Sequence, residues 1–251
     1  MELTSFVPFI SEWLGVIAVA WLLGMSRRFQ KPVVGFLYAR RDGLVALSLA
    51  ALIVFFSFLY YTTIKPPVIA EPLHIAPAPV HDLFQALVPA AICLVPFAIA
   101  LVLRQQPIRS IGWNPVLVTP GLQMGVAMAL LTIFLRNRAM DILGGLAAPI
   151  VSSLPLTLGI ALAEETIFRG YIQMRLTWWL GLWPGLVVTS SLFTLWHMPA
   201  WVQTLPTQTT LVLAGLTFVQ GLVLGWIARK SGGVVAPTLY RAISIWVTLL
   251  G

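Results

Sequence analysis

Charge is scarce in this sequence. Acidic and basic residues make up 9% of 251, whereas a soluble domain carries about 25%. A chain with so little charge cannot cover a water-facing surface, which excludes an ordinary soluble domain and a disordered one. Cysteine is scarcer still: Cys93 is the only one, which excludes a disulfide-stapled scaffold. Acidic residues are the rarer sign, eight against fifteen lysines and arginines, for a net charge of +7. The sequence pI of about 10.2 would suit a nucleic-acid partner. The cations are strung along an apolar chain, however, so nucleic acid is excluded. No repeat or low-complexity segment is visible.

Apolar sequence is abundant. Hydrophobic residues are 59% of the chain and the mean hydropathy is +0.93. A helical span needs roughly 20 apolar residues. The chain therefore reads as all-α, a polytopic helical membrane protein of about eight transmembrane helices, with the lipid bilayer as its first partner. The expected spans are 6–25, 43–63, 83–103, 117–135, 150–170, 183–202, 210–228 and 234–250. The N-terminus begins Met1-Glu2-Leu3 without a basic lead, and its apolar stretch reads as a first span, not a cleaved signal.

Lysine and arginine collect in cytoplasmic loops. The odd-numbered connections hold Arg27, Arg28, Lys31, Arg40, Arg41, Arg104, Arg109, Arg175, Arg229 and Lys230. The even-numbered ones hold Lys65, Arg136 and Arg138. Ten against three places the odd connections inside and the start of the first span outside. Arg136 and Arg138 stand against this pattern.

Residues 65–81 carry five prolines and read as an extended connection outside the membrane. A second polar connection covers 104–116. Residues 1–107 form an N-terminal part of transmembrane helices and proline-rich loop; residues 108–251 form a core, within one integrated membrane domain. Before the second connection the spans hold almost no ionisable group except Glu12. After it they hold Glu164, Glu165, Arg169, His197 and Arg241. Such groups are costly at membrane depth and persist where they pair or line a wet cavity.

Helical spacing divides their roles. Glu165 and Arg169 are four apart and face each other as an ion pair. Glu164 points about 100° away and has no partner on its own helix; Phe168 shares its face. One span later, Phe193 and His197 are four apart. His74 and His81 flank the proline-rich loop, far from the glutamates. A buried carboxylate is a stronger base than one in water, and with an imidazole it can move a proton between water and a leaving group. Zinc is the other reading. One histidine and two carboxylates are few for a site that wants three or four ligands, so zinc is weakly supported. Trp196 and Trp201 read as interface or core aromatics.

Glu164-Glu165-x-x-x-Arg169, followed one helix later by Phe193-x-x-x-His197, resembles the first two motifs of the CPBP (Abi) family, which includes the type II CAAX prenyl endopeptidases. Phe168-Arg169-Gly170, the proline soon after His197, and the lead-in Ser110-Ile111-Gly112-Trp113 add to the resemblance, which covers roughly 108–250. It implies an eight-helix intramembrane endopeptidase of a prokaryotic inner membrane, acting on a membrane-associated protein or peptide. Glu164 would activate water, His197 would be its partner, and Glu165 and Arg169 would orient the site. Phe168 and Phe193 would contact substrate. No cofactor is required if the enzyme is of the glutamate type.

The chain departs from the family at the third motif. After the turn Ser231–Pro237, Arg241 stands where the family has histidine and Ile245 where it has asparagine. An arginine can donate to a developing oxyanion, or it can pair with Glu164 and quench the base. A divergent peptidase and a catalytically inactive scaffold, immunity or partner-binding protein both follow. A proton-relaying transporter is a third reading, without the inverted repeat that transport folds often show.

Overall fold

In a computed structural model, residues 7–29, 35–64 and 78–250 are described. Lys31, Lys65, His74 and most of the proline-rich stretch lie outside them. Every regular element among the described residues is a helix. Helix α1 is Val7–Leu23. Helix α2 is Ala39–Leu59, continued by a π turn at Tyr60–Ile64. Helix α3 is Ala78–Leu103 and α4 is Pro115–Leu135, joined through a 3₁₀ turn at Ile108–Ile111. After the short α5, Ala139–Leu143, comes α6, Ala148–Glu165. It runs through a π-helical stretch, Thr166–Ile172, into α7, Gln173–Leu180. Helices α8, Leu182–Thr204, α9, Thr207–Ser231, and α10, Val235–Val247, complete the bundle.

Each expected span coincides with a helix, give or take its ends. The fifth continues well past its expected end, because the π stretch carries the helix on to Leu180. Among the described residues, five segments are long and apolar enough to cross a membrane, by length and composition, where eight were expected: Ala39–Thr63, Ala86–Leu103, Ile108–Leu135, Ala148–Leu180 and Thr207–Ser231. Phe9–Leu23 and Val235–Leu250 are shorter apolar helices. The chain is a polytopic helical membrane protein. Its surface fits that solvent: Phe55, Phe56, Leu130, Phe134 and Trp183 are exposed, while Glu12, Asp42, Glu164, Glu165, Arg169, Arg175 and Arg241 are buried.

The short α10 is the inner helix, packed against α4, α6 and α9. Glycines let it in. A Cβ on Gly121 would lie 3.0 Å from Val235 Cβ, and one on Gly125 would lie 2.8 Å from Leu239 Cβ. This is the small-xxx-small pattern that brings membrane helices close without a hydrophobic driving force.

Two polar clusters tie the helices together. Glu12 on α1 accepts from Arg136 Nε (2.6 Å), Tyr240 OH (2.9 Å) and Ser244 Oγ (3.1 Å). Arg138 pairs with Asp141 at 3.1 Å and donates to the Leu250 carbonyl at 3.2 Å. The two arginines that stood against the charge pattern are therefore engaged in local pairs. At the other end of the bundle Asp42 takes Arg104 (2.7 Å), and Arg175 donates to the Ser110 carbonyl (3.2 Å) and to Gln106.

The 3₁₀ turn docks on the π stretch at Gly170, where a Cβ would lie 2.2 Å from the Ile111 carbonyl oxygen. Backbone cannot yield as a flexible side chain can. Gly170→Ala is expected to cost about 1–3 kcal/mol through overpacking, read as a lower thermal midpoint in detergent. Gly215→Ala, with nothing within 4 Å of the new methyl, is expected to leave the midpoint unchanged.

Candidate active site

Five ionisable side chains from four segments converge at one site. Glu164 and Glu165 end α6, Arg169 sits in the π stretch, His197 is on α8 and Arg241 is on α10. The expected ion pair is present: Arg169 Nε lies 3.3 Å from Glu165 Oε2, with both side chains fully buried. It is a charge contact without hydrogen-bond alignment, since neither atom has a hydrogen-bond partner.

Glu164 has no partner on its own helix but three from elsewhere. One oxygen pairs with Arg241 Nη2. The other is 3.5 Å from His197 Nε2 and accepts from Trp196 Nε1 at 3.4 Å. Arg241 Nη2 is also 3.3 Å from His197 Nε2, and its Nε is 3.9 Å from Glu165 Oε1. Two carboxylates and two guanidiniums thus balance. Phe193 is wedged between the cations, its ring centre 4.1 Å from the Arg169 guanidinium and 4.6 Å from that of Arg241. Each is a cation–π contact.

The histidine tautomer follows from its neighbours. Nδ1 lies 2.9 Å from the Phe193 carbonyl oxygen. A carbonyl only accepts, so Nδ1 carries the hydrogen. In the neutral ring Nε2 is then a free acceptor, and it faces Arg241 and Glu164. The ring packs near Trp201, 5.8 Å between centres and close to parallel.

Arg169 is anchored by an unusual contact. Its Nη2 donates to the Gly221 carbonyl (3.3 Å), and one turn on Gln173 Nε2 donates to the Gly225 carbonyl (2.8 Å). Both acceptors are on α9. A Cβ on Gly225 would lie 2.6 Å from Gln173 Oε1 and one on Gly221 would lie 3.0 Å from Ser190 Cβ. Glycine exposes the helical carbonyls that these side chains reach. The lead-in expected before the core docks here too. Trp113 Nε1 donates to Thr166 Oγ1 at 3.1 Å. Gly112, at φ +80°, accepts from Val234 N at 3.2 Å.

A cavity of about 320 Å³ opens onto Glu164, His197 and Arg241, walled by Trp196, Trp201 and Ile245 among others. His197 keeps 22% of its side-chain surface exposed, against 6% for Glu164 and Arg241. Ile245, one turn beyond Arg241, also lines the wall. Phe168 and Phe193 are fully buried, their rings in edge contact 5.1 Å apart, behind the charged cluster. Trp196 and Trp201, read from sequence as structural aromatics, stand at the site itself. Their signal was present, one residue before and four after His197.

No group of three or more histidine, cysteine, aspartate or glutamate side chains placed to hold a metal occurs among the described residues. Arg241 takes one oxygen of Glu164, and the cluster's two cations repel a third.

Residues 146–247 match the family model "Type II CAAX prenyl endopeptidase Rce1-like". Over that stretch, less than half of its length, the chain is similar to this endopeptidase family. The searches of curated proteins and of solved structures found no match.

Removing one partner of a buried ion pair leaves an uncompensated charge and costs about 3–5 kcal/mol. Arg241→Leu is expected to destabilise by that order. Adding Glu164→Gln in the same chain is expected to restore part of the loss. A double-mutant cycle on thermal unfolding in detergent measures the coupling; additive effects would contradict it.

Proposed function

We propose that the chain is an intramembrane endopeptidase of the CPBP type that cleaves a membrane-associated protein or peptide. The observation that carries this reading is the meeting of Glu164 and His197 at the head of one cavity. In the proposed step Glu164 takes a proton from water, and the water oxygen bonds to the scissile carbonyl carbon. The C–N bond then breaks, and the proton passes by way of Glu164 or His197 to the leaving amine. With Nδ1 held by the Phe193 carbonyl, Nε2 of His197 faces the site to receive and return that proton. Arg241 turns its donors to the carbonyl oxygen as negative charge develops there. Glu165 and Arg169 act as positioning residues by holding the second charge pair against α9. Phe193 acts on substrate only through the two cations it supports, and Phe168 by packing against Phe193; Trp196, Trp201 and Ile245 form its contact surface. No step passes through a metal.

On this reading all eight long helices cross the bilayer, within a prokaryotic inner membrane. Helix α8 and the shorter α1 and α10 cross because they are flanked and covered by the five longer spans.

Glu164→Ala and His197→Ala are each expected to lower the rate of processing of a reconstituted substrate by about 10²–10⁴-fold, while the protein still accumulates in the membrane. Arg241→His is expected to keep measurable activity and Arg241→Leu to lose it. Full activity of both the Glu164 and His197 variants would sink the assignment.

One observation favours a second reading, a catalytically inactive scaffold or partner-binding protein. The Glu164–Arg241 pair closes on the base itself. Under that reading Glu164→Gln still complements a deletion strain, and neither Arg241 variant changes any processing rate.

A further inference from the structure

The cavity is not placed evenly along the bundle. Its wall is drawn from Tyr61 and Leu83, which flank the α2–α3 connection, and from Trp201 and Ile245, close to the ends of α8 and α10. All these positions lie toward the same end of the molecule, the end where α2 finishes, α3 begins and α8 turns into α9.

That end is poor in cations. The even connections belong to it, and the two arginines there are spent on Glu12 and Asp141. The opposite end holds the odd connections, with Arg27, Arg28, Arg40, Arg41, Arg104, Arg109, Arg175, Arg229 and Lys230 among the described residues. Cation-rich ends are cytoplasmic. A separate cavity of about 230 Å³ enters from that cation-rich end, past Trp178, Arg229 and Gly232, and reaches Arg169. Glu164, His197 and Arg241 are not part of its wall. The Glu165–Arg169 pair stands between the two.

We propose that the site takes its substrate from the extracytoplasmic side: an apolar segment of an exported or membrane-anchored polypeptide, not a chain end presented from the cytoplasm. The class of substrate follows from the wall. Tyr61, Leu83, Trp196 and Trp201 offer apolar and aromatic surface, and Thr217 and Gln220 offer hydrogen bonds to an extended backbone. The cleavage is the hydrolysis written above, and the inference rests on that reading for its substrate, though not for its topology.

The test is topological. In a Cys93→Ala background, single cysteines are placed at Thr204→Cys on the cavity end, Ala200→Cys on the cavity wall and Met25→Cys on the cation-rich end. Thr204 and Met25 are exposed. Spheroplasts of bacterial cells expressing the full chain are treated with a membrane-impermeant maleimide, before and after permeabilisation. The expected result is labelling of Thr204→Cys and Ala200→Cys in intact spheroplasts and of Met25→Cys only after permeabilisation. The reverse pattern overturns the inference, and so does an Ala200→Cys that labels only after permeabilisation or not at all. The labelling needs no activity. A chain that labels as expected and cleaves nothing would refute the peptidase reading alone; one that cleaves but labels in reverse would refute the extracytoplasmic entry alone.

Discussion

Two carboxylates and two guanidiniums share one site from which bulk water is almost excluded. Each ion alone would pay several kcal/mol for leaving water. Together they neutralise one another: Glu165 with Arg169, Glu164 with Arg241. The four come from α6, the π stretch behind it and α10, so the balance exists only when those segments meet. Phe193 between the two cations extends the dependence to α8. The positions of α6, α8 and α10 are thus conditions of one electrostatic sum. His197 is the member left partly exposed, its proton fixed on Nδ1 by the Phe193 carbonyl. The residue whose ring separates the cations also sets the tautomer of the base's partner.

Close helix approach makes that sum possible, and glycine supplies it. Gly121 and Gly125 admit α10 against α4. Gly221 and Gly225 bare the carbonyls that take Arg169 and Gln173. Gly170 receives the 3₁₀ turn. On its other face α10 carries Tyr240 and Ser244, which bind Glu12. Helix α10 is therefore held in rotation from both sides. Tyr240 is committed to Glu12 and its neighbour Arg241 to Glu164, so a turn of the helix would break both contacts.

Much of this was legible in the sequence. The apolar runs located the helices, because a bilayer demands long uninterrupted stretches and their period hardly matters. The spacing of Glu165 and Arg169 located their pair, because four residues is a local distance on a helix. The partner of Glu164 was harder. Arg241 lies 77 positions away, and no local rule joins the two; only the family motif order brought them to one discussion. The glycine pairs on α4 and α9 were legible as small-xxx-small patterns but went unread, because their meaning lies in which neighbour they admit. Trp196 and Trp201 have the composition signal of interface aromatics, whereas their closeness in sequence to His197 points to the site. The π stretch had no sequence signature of its own.

The charge pattern shows how a global rule and a local contact are told apart. Arg136 and Arg138 contradicted the distribution when counted as loop cations. A cation influences orientation through its charge near the membrane surface. A guanidinium bound to Glu12 at 2.6 Å, or to Asp141 at 3.1 Å, is locally neutralised. Asp42 neutralises Arg104 at the opposite end in the same way. Subtracting those three pairs, and Arg175, which is buried against Ser110 and Gln106, leaves the described cation-rich end with Arg27, Arg28, Arg40, Arg41, Arg109, Arg229 and Lys230, and the other end with none outside local ion pairs among the described residues. The asymmetry sharpens when the engaged charges are removed. That is the behaviour expected if free cations record orientation and paired ones record packing. The same distinction separates Arg241 from the topological cations: it is held at the site by the carboxylate it neutralises.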